Sequence, residues 1–129
     1  MVLYSINPEK IWQRESAAPD RKYFCNYRVI GSTEIVSPEE RERVLDAFAK
    51  SVFDFVSGAY VIECFDPRHG LRLQVDGRTI DFLICFECQQ VEAKGFGKIS
   101  GFRTDGEAQP VFDEVLRAHR VKLARESED

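Results

Sequence analysis

The chain has 129 residues, 43% of them hydrophobic, including ten phenylalanines. That is the size of one ordinary domain, with enough apolar side chain for a core that needs no metal or disulfide staple. A net charge of −4 disfavours general nucleic-acid binding, because an acidic surface repels phosphate backbones, and no stretch approaches the length of a membrane span.

Met1 to Pro8 lacks the basic start and long apolar run of a signal peptide. The four cysteines, Cys25, Cys64, Cys85 and Cys88, therefore read as reduced thiols of a cytoplasmic protein. Asn7-Pro8 reads as a short helix start, with Asn7 as cap and Pro8 at the first helical position; Ser16 to Asp20 ends it as a linker. Tyr23 to Ile30 alternates as one strand, with Tyr23, Cys25, Tyr27 and Val29 on one face, and Gly31 suggests a bulge. Ser37-Pro38-Glu39-Glu40 is a capping sequence. Val44, Leu45, Phe48, Val52, Phe55 and Val56 then recur at helical spacing up to Ser57-Gly58.

Tyr60 to Phe65 reads as a strand, and Asp66-Pro67-Arg68 as a turn. Leu71 to Val75 and Arg78 to Phe86 form a hairpin about Asp76-Gly77, a type I′ sequence. This register sets Arg72 opposite Asp81, Leu71 opposite Phe82 and Leu73 opposite Ile80, with the apolar set facing the core and the ion pair on the other face. Strand character continues from Gln89 to Ala93, turns at Lys94 to Gly97 and returns from Lys98 to Arg103. Pro110 opens a last helix with Val111, Phe112, Val115 and Leu116 inward.

The expected architecture is one α+β domain over residues 1–129. An antiparallel sheet of about five strands carries two main helices, 37–57 and 110–122, on one face. Residues 1–20 form an arm or short helix, and 124–129 a frayed tail.

Chemistry-bearing residues are few. Cys64, His69, Cys85 and Cys88 could make a four-ligand zinc site if the turn at Asp66-Pro67 is tight. Against it, residues three apart on a straight strand face opposite ways, and Phe86-Glu87 offers neither Gly nor Pro to bend the chain; buried cysteines otherwise act as small hydrophobes. A redox role is weaker still, because a reactive CxxC normally precedes a helix and Gln89 to Glu92 reads as strand. If the protein is exported, a Cys64–Cys85 or Cys85–Cys88 disulfide is open to it. His119 reads as a helix-end cation or packed ring. No catalytic motif is present.

Cys64 to Arg72, Asp81 to Val91 and Pro110 to Leu116 carry the pattern CFxPRHG(I/L)R, DxxICFECxQV and PxFDxxL. In this pattern the chain resembles a family of small uncharacterised bacterial proteins, over roughly residues 23 to 119. The resemblance implies a bacterial source and supplies no activity. Some members carry export or lipoprotein signals, and the turn at Gly95-Phe96-Gly97 departs from the family's more polar turn.

Small size, acidity and the lack of a catalytic motif favour a non-catalytic binding protein, most plausibly an immunity or antitoxin-like protein that covers a partner toxin or enzyme without cofactor. Glu63, Asp66, Glu87, Glu92 and Phe96 would form its binding surface. The alternative is a zinc- or thiol-dependent protein built on Cys64, His69, Cys85 and Cys88. Neither reading involves nucleic acid or membrane.

Overall fold

The structure is a computed structural model that describes residues 1–10, 22–57, 65–95 and 97–124. In chain order it contains β1 (Val2–Lys10), β2 (Tyr23–Phe24), β3 (Tyr27–Glu34), α1 (Pro38–Ser51), β4 (Val52–Ser57), β5 (His69–Val75), β6 (Arg78–Cys85), β7 (Gln90–Gly95), β8 (Lys98–Thr104) and α2 (Gln109–Ala118). The strands form one antiparallel sheet in the order β2-β3-β1-β5-β6-β7-β8-β4. The class is α+β, but among the described residues the sheet has eight strands rather than about five. No helix among the described residues is long and apolar enough to cross a membrane.

The Asp76–Gly77 corner sets the centre of the sheet. Both residues have positive φ, 51° and 76°, as a type I′ turn requires. Arg72 faces Asp81, Leu71 faces Phe82 and Leu73 faces Ile80. Leu71, Leu73, Phe82 and Ile84 consequently join Val44, Phe48, Phe112, Val115 and Leu116 of the helices in the main core. On the opposite face Arg72 grips Asp81 through Nε at 2.7 Å and Nη2 at 3.0 Å.

The extra strands come from segments whose local signals pointed elsewhere. Residues 2–10 are β1, not a helical arm, because Leu3 and Ile6 enter the cores on opposite faces of the sheet, as strand residues an odd number apart do, and β1 pairs with β3 on one side and, over Val2 to Ser5, with β5 on the other. Pro8, which has no N–H to donate, falls where the ladder with β3 slips between Ile6 and Lys10. The helix expected over 37–57 stops at Ser51. Its start is as expected, with Ser37 Oγ accepting from Glu40 N–H at 3.4 Å. From Val52 the β-branched and aromatic residues instead pair with β8 as an edge strand.

Tyr23 to Ile30 is a hairpin rather than one strand. Cys25 and Asn26 turn it, at φ 49° and 71°. The last helix ends at Ala118, not 122. Arg120 takes φ 60°, its N–H donates to Arg117 C=O at 2.9 Å, and Val121 N–H donates to Leu116 C=O at 2.8 Å. This is a Schellman stop made without the glycine that normally announces one. Of the strand expected over 60–65, residues 60–64 lie outside the described residues and Phe65 is not in a strand. The linker at 16–20 and the tail 125–129 also lie outside them.

Both faces of the sheet carry a core. The β2–β3 hairpin folds over the face away from the helices, where Phe24 and Tyr27 pack with Ile6 and Leu83. Phe24 stacks on Tyr4 with ring centroids 4.4 Å apart and lies against Gly70. A Cβ at Gly70 would stand 2.7 Å from the Phe24 ring, which is wholly buried and has nowhere to move. Gly70→Ala should therefore cost about 1–3 kcal/mol of unfolding free energy in urea melts. The same change should cost less in a Phe24→Leu background.

Candidate functional site

The three segments of the family-like pattern meet at one end of the sheet. β6 ends at Cys85, the chain reverses through Phe86 to Gln89, and β7 starts at Gln90 directly opposite Cys85. Gln89 N–H donates to Phe86 C=O at 3.3 Å, and Gln89 takes φ 59°. This turn removes the objection drawn from strand period: Cys85 and Cys88 lie together, with Cα atoms 5.5 Å apart, and are joined as a disulfide. The expectation of reduced thiols is corrected for this pair. The turn uses a non-glycine residue in the left-handed region, which is why no Gly or Pro marked it.

The two sulfurs differ in environment. Cys85 is 1% exposed and its Sγ accepts the Cys88 N–H at 3.2 Å, whereas Cys88 is only half-buried. The turn is held from three sides. The Phe86 ring meets His69 edge-on at 5.1 Å and Phe112 at 5.3 Å, and His69 meets Phe112 at 6.0 Å. Arg68 Nη1 donates to Glu87 at 2.9 Å. Thr104 N–H at the end of β8 donates to Gln89 C=O at 3.1 Å.

His69, 5% exposed, donates Nε2–H to Asp113 Oδ1 at 2.6 Å. A buried imidazole keeps its hydrogen bond because losing it exposes the full desolvation cost of the ring. Asp113 stands on α2 beside the buried stripe of Phe112, Val115 and Leu116. Its other side opens on a groove of about 560 Å³ lined by Gly106, Gln109, Pro110, Glu114 and Arg117. Asp66, Arg68, His69, Phe86, Glu87 and Gln109 enclose a further space of about 10 Å³, the scale of one water.

The expected zinc set is not assembled among the described residues. Cys64 lies outside them, His69 spends Nε2 on Asp113, and no three His, Cys, Asp or Glu side chains form a metal-ligand group. The expected binding surface is also divided. Glu63 and Phe96 lie outside the described residues, Glu87 pairs with Arg68, and Glu92 pairs with Lys94 at 3.4 Å along β7; Asp66 is exposed. His119 does act at a helix end, as the C-cap of α2, and bonds Glu40 at 2.7 Å.

Asp113, Phe112 and Phe86 are the site residues that residue-type reasoning missed. The only sequence signal for Asp113 is its place in the PxFDxxL segment.

The remaining described cysteine sits elsewhere. Cys25, at the tip of the β2–β3 turn, places Sγ 4.0 Å from Asp81 on the face away from the helices. Burial pushes its thiol up to about 11; Asp81 and Glu92 add to this, while Lys94 and Arg72 oppose it. Burial also pushes the neighbouring Tyr27 up to about 12.

Comparison with known proteins adds no relative: no family model matches the chain, and neither a curated protein nor a solved structure matches it significantly.

Two outcomes follow from these environments. Asp113→Ala leaves His69 buried without its acceptor and should lower unfolding free energy by about 1–3 kcal/mol, with Asp113→Asn losing less. For Cys25, the fold disfavours the thiolate, so its folded value lies above the ordinary 9.0. Its contribution to stability is whole below pH 9 and falls away as pH rises toward about 11. Denaturation followed across that window should show a decline that Cys25→Ser makes shallower.

Proposed function

We propose that the protein is a thiol–disulfide protein whose working group is the Cys85–Cys88 pair and whose partner is a dithiol. The observation that carries this reading is the asymmetry of the pair: Cys88 is half-buried, whereas Cys85 is buried and its sulfur is already hydrogen-bonded by an amide. An incoming thiolate attacks Cys88 Sγ, the S–S bond breaks, and Cys85 leaves as a thiolate on the Cys88 N–H. The partner's second thiolate then attacks its own sulfur in the mixed disulfide and releases Cys88. Two electrons and two protons pass from the partner dithiol to the pair, and the partner becomes the disulfide.

Two physical arguments support an exchanging rather than a purely structural bond. A disulfide closing a four-residue loop removes little chain entropy, about 2 kcal/mol against about 4.7 for a hundred-residue loop. The turn is also held by contacts that do not involve sulfur, through Phe86, Glu87 and Gln89, so its backbone is kept whether the bond is closed or open. No helix N-terminus follows the pair, so the thiolate rests on one amide instead of a helix dipole. An occluding surface has less support, because Glu87 and Glu92 are already paired with cations.

The test is equilibration in glutathione buffers with trapping of free thiols. A midpoint within the range that glutathione buffers, above about −260 mV, is expected, together with loss of exchange in Cys88→Ser and no change in Cys25→Ser. A midpoint below about −300 mV, where structural disulfides lie, would overturn the reading. So would stoichiometric zinc in the reduced protein.

A further inference from the structure

Cys85 lies at one end of a row of side chains that runs across β6, β7 and β8. Gln90 is directly opposite Cys85 in one ladder, and Arg103 is directly opposite Gln90 in the next. Opposed residues of antiparallel strands send their side chains to the same face, with Cβ atoms about 4.5–5.5 Å apart. Gln90 is 4% exposed and Cys85 1% exposed, so a carboxamide and a sulfur share a place that water hardly reaches. Arg103 is exposed, and its guanidinium carbon stands 6.0 Å over the Phe53 ring.

We propose that Gln90 is a catalytic residue of the exchange reaction, its side-chain NH2 donating to Cys85 Sγ as that sulfur leaves. The inference rests on the thiol–disulfide reading above and adds the group that receives the charge. Attack by a partner thiolate on Cys88 Sγ forms one S–S bond and breaks the other, and the electron pair of the broken bond stays on Cys85. A negative charge then arises at a buried position, where an ion without donors is costly. The Cys88 N–H, 3.2 Å from Cys85 Sγ, supplies one donor. The register supplies the next, because a carboxamide carries two N–H groups where an aliphatic side chain carries none. A disulfide sulfur is a weak acceptor, whereas a thiolate is a charged one. The contact therefore strengthens as the bond opens, and a contact of that kind lowers the barrier where a constant one would not. On the other side of Gln90, the Arg103 charge draws the carboxamide oxygen toward itself and turns the NH2 toward Cys85.

The rate at which dithiothreitol reduces the oxidised protein, followed by trapping of free thiols, tests this. Gln90→Leu, a change that nearly keeps side-chain volume, should slow reduction roughly tenfold, the effect of losing one hydrogen bond to a charged group. Gln90→Glu, ionised and so an acceptor alone, should be at least as slow. Arg103→Gln should slow reduction less than Gln90→Leu does. Urea unfolding of the oxidised Gln90→Leu protein should match the parent, because the contact forms once the bond opens. In the unaltered reduced protein, the side-chain amide NMR signals of Gln90 should move downfield as Cys85 ionises, a readout that does not depend on any variant's folding. A Gln90→Leu rate within about twofold of the parent, less than one such hydrogen bond supplies, would overturn the assignment. So would a slower rate matched by an equal loss of oxidised-state stability, a larger loss in Arg103→Gln than in Gln90→Leu, or Gln90 amide signals that ignore the ionisation of Cys85. Each of these leaves the Cys85–Cys88 reading standing as long as the parent protein exchanges with glutathione. A parent disulfide that does not exchange removes both.

Discussion

The contact among Phe86, His69 and Phe112 is the joint on which the functional end of the molecule depends. Each ring comes from a different segment: the turn after β6, the first residue of β5 and the first turns of α2. Edge-to-face packing suits three rings that must converge within a small volume, and burial of the imidazole then demands an acceptor, which Asp113 supplies. Because Phe86 lies between the two cysteines, fixing its ring fixes the CxxC turn. The disulfide, the His–Asp pair and the docking of α2 are thus consequences of one packing arrangement.

The rest of the sheet distributes its chemistry by face. On the helix side, alternation places Leu71, Leu73, Phe82 and Ile84 toward α1 and α2. On the other side the same alternation lifts Arg72 and Asp81 into a bidentate pair, and Arg72 also lies 5.4 Å over the Phe24 ring and 5.8 Å over Tyr4. The folded-over hairpin shields this cluster from water, and the raised Cys25 and Tyr27 values result. The two faces separate roles: the disulfide turn is gripped by the helix-side core, while Cys25 is a half-buried, protonated thiol on the opposite face of the sheet.

What the sequence determined by itself was local and self-contained. Asp76-Gly77 fixed a two-residue turn, and with it the register of β5 against β6, because only certain residues adopt positive φ at both corners cheaply. Ser37-Pro38 fixed the start of α1, because a hydroxyl acceptor and a missing N–H suit the first turn. Everything that tertiary structure decided involves partners distant in the chain. β1 is a strand because β3 and β5 flank it, although Asn7-Pro8 signals a helix. Val52 to Ser57 extends because β8 offers an edge, although its apolar spacing also fits a helix. The sequence could place Cys85 three residues from Cys88. Whether those sulfurs faced apart or together depended on a left-handed Gln89 and on rings from β5 and α2 that hold the turn, and no local pattern encodes contacts with residues as far along the chain as His69 and Phe112.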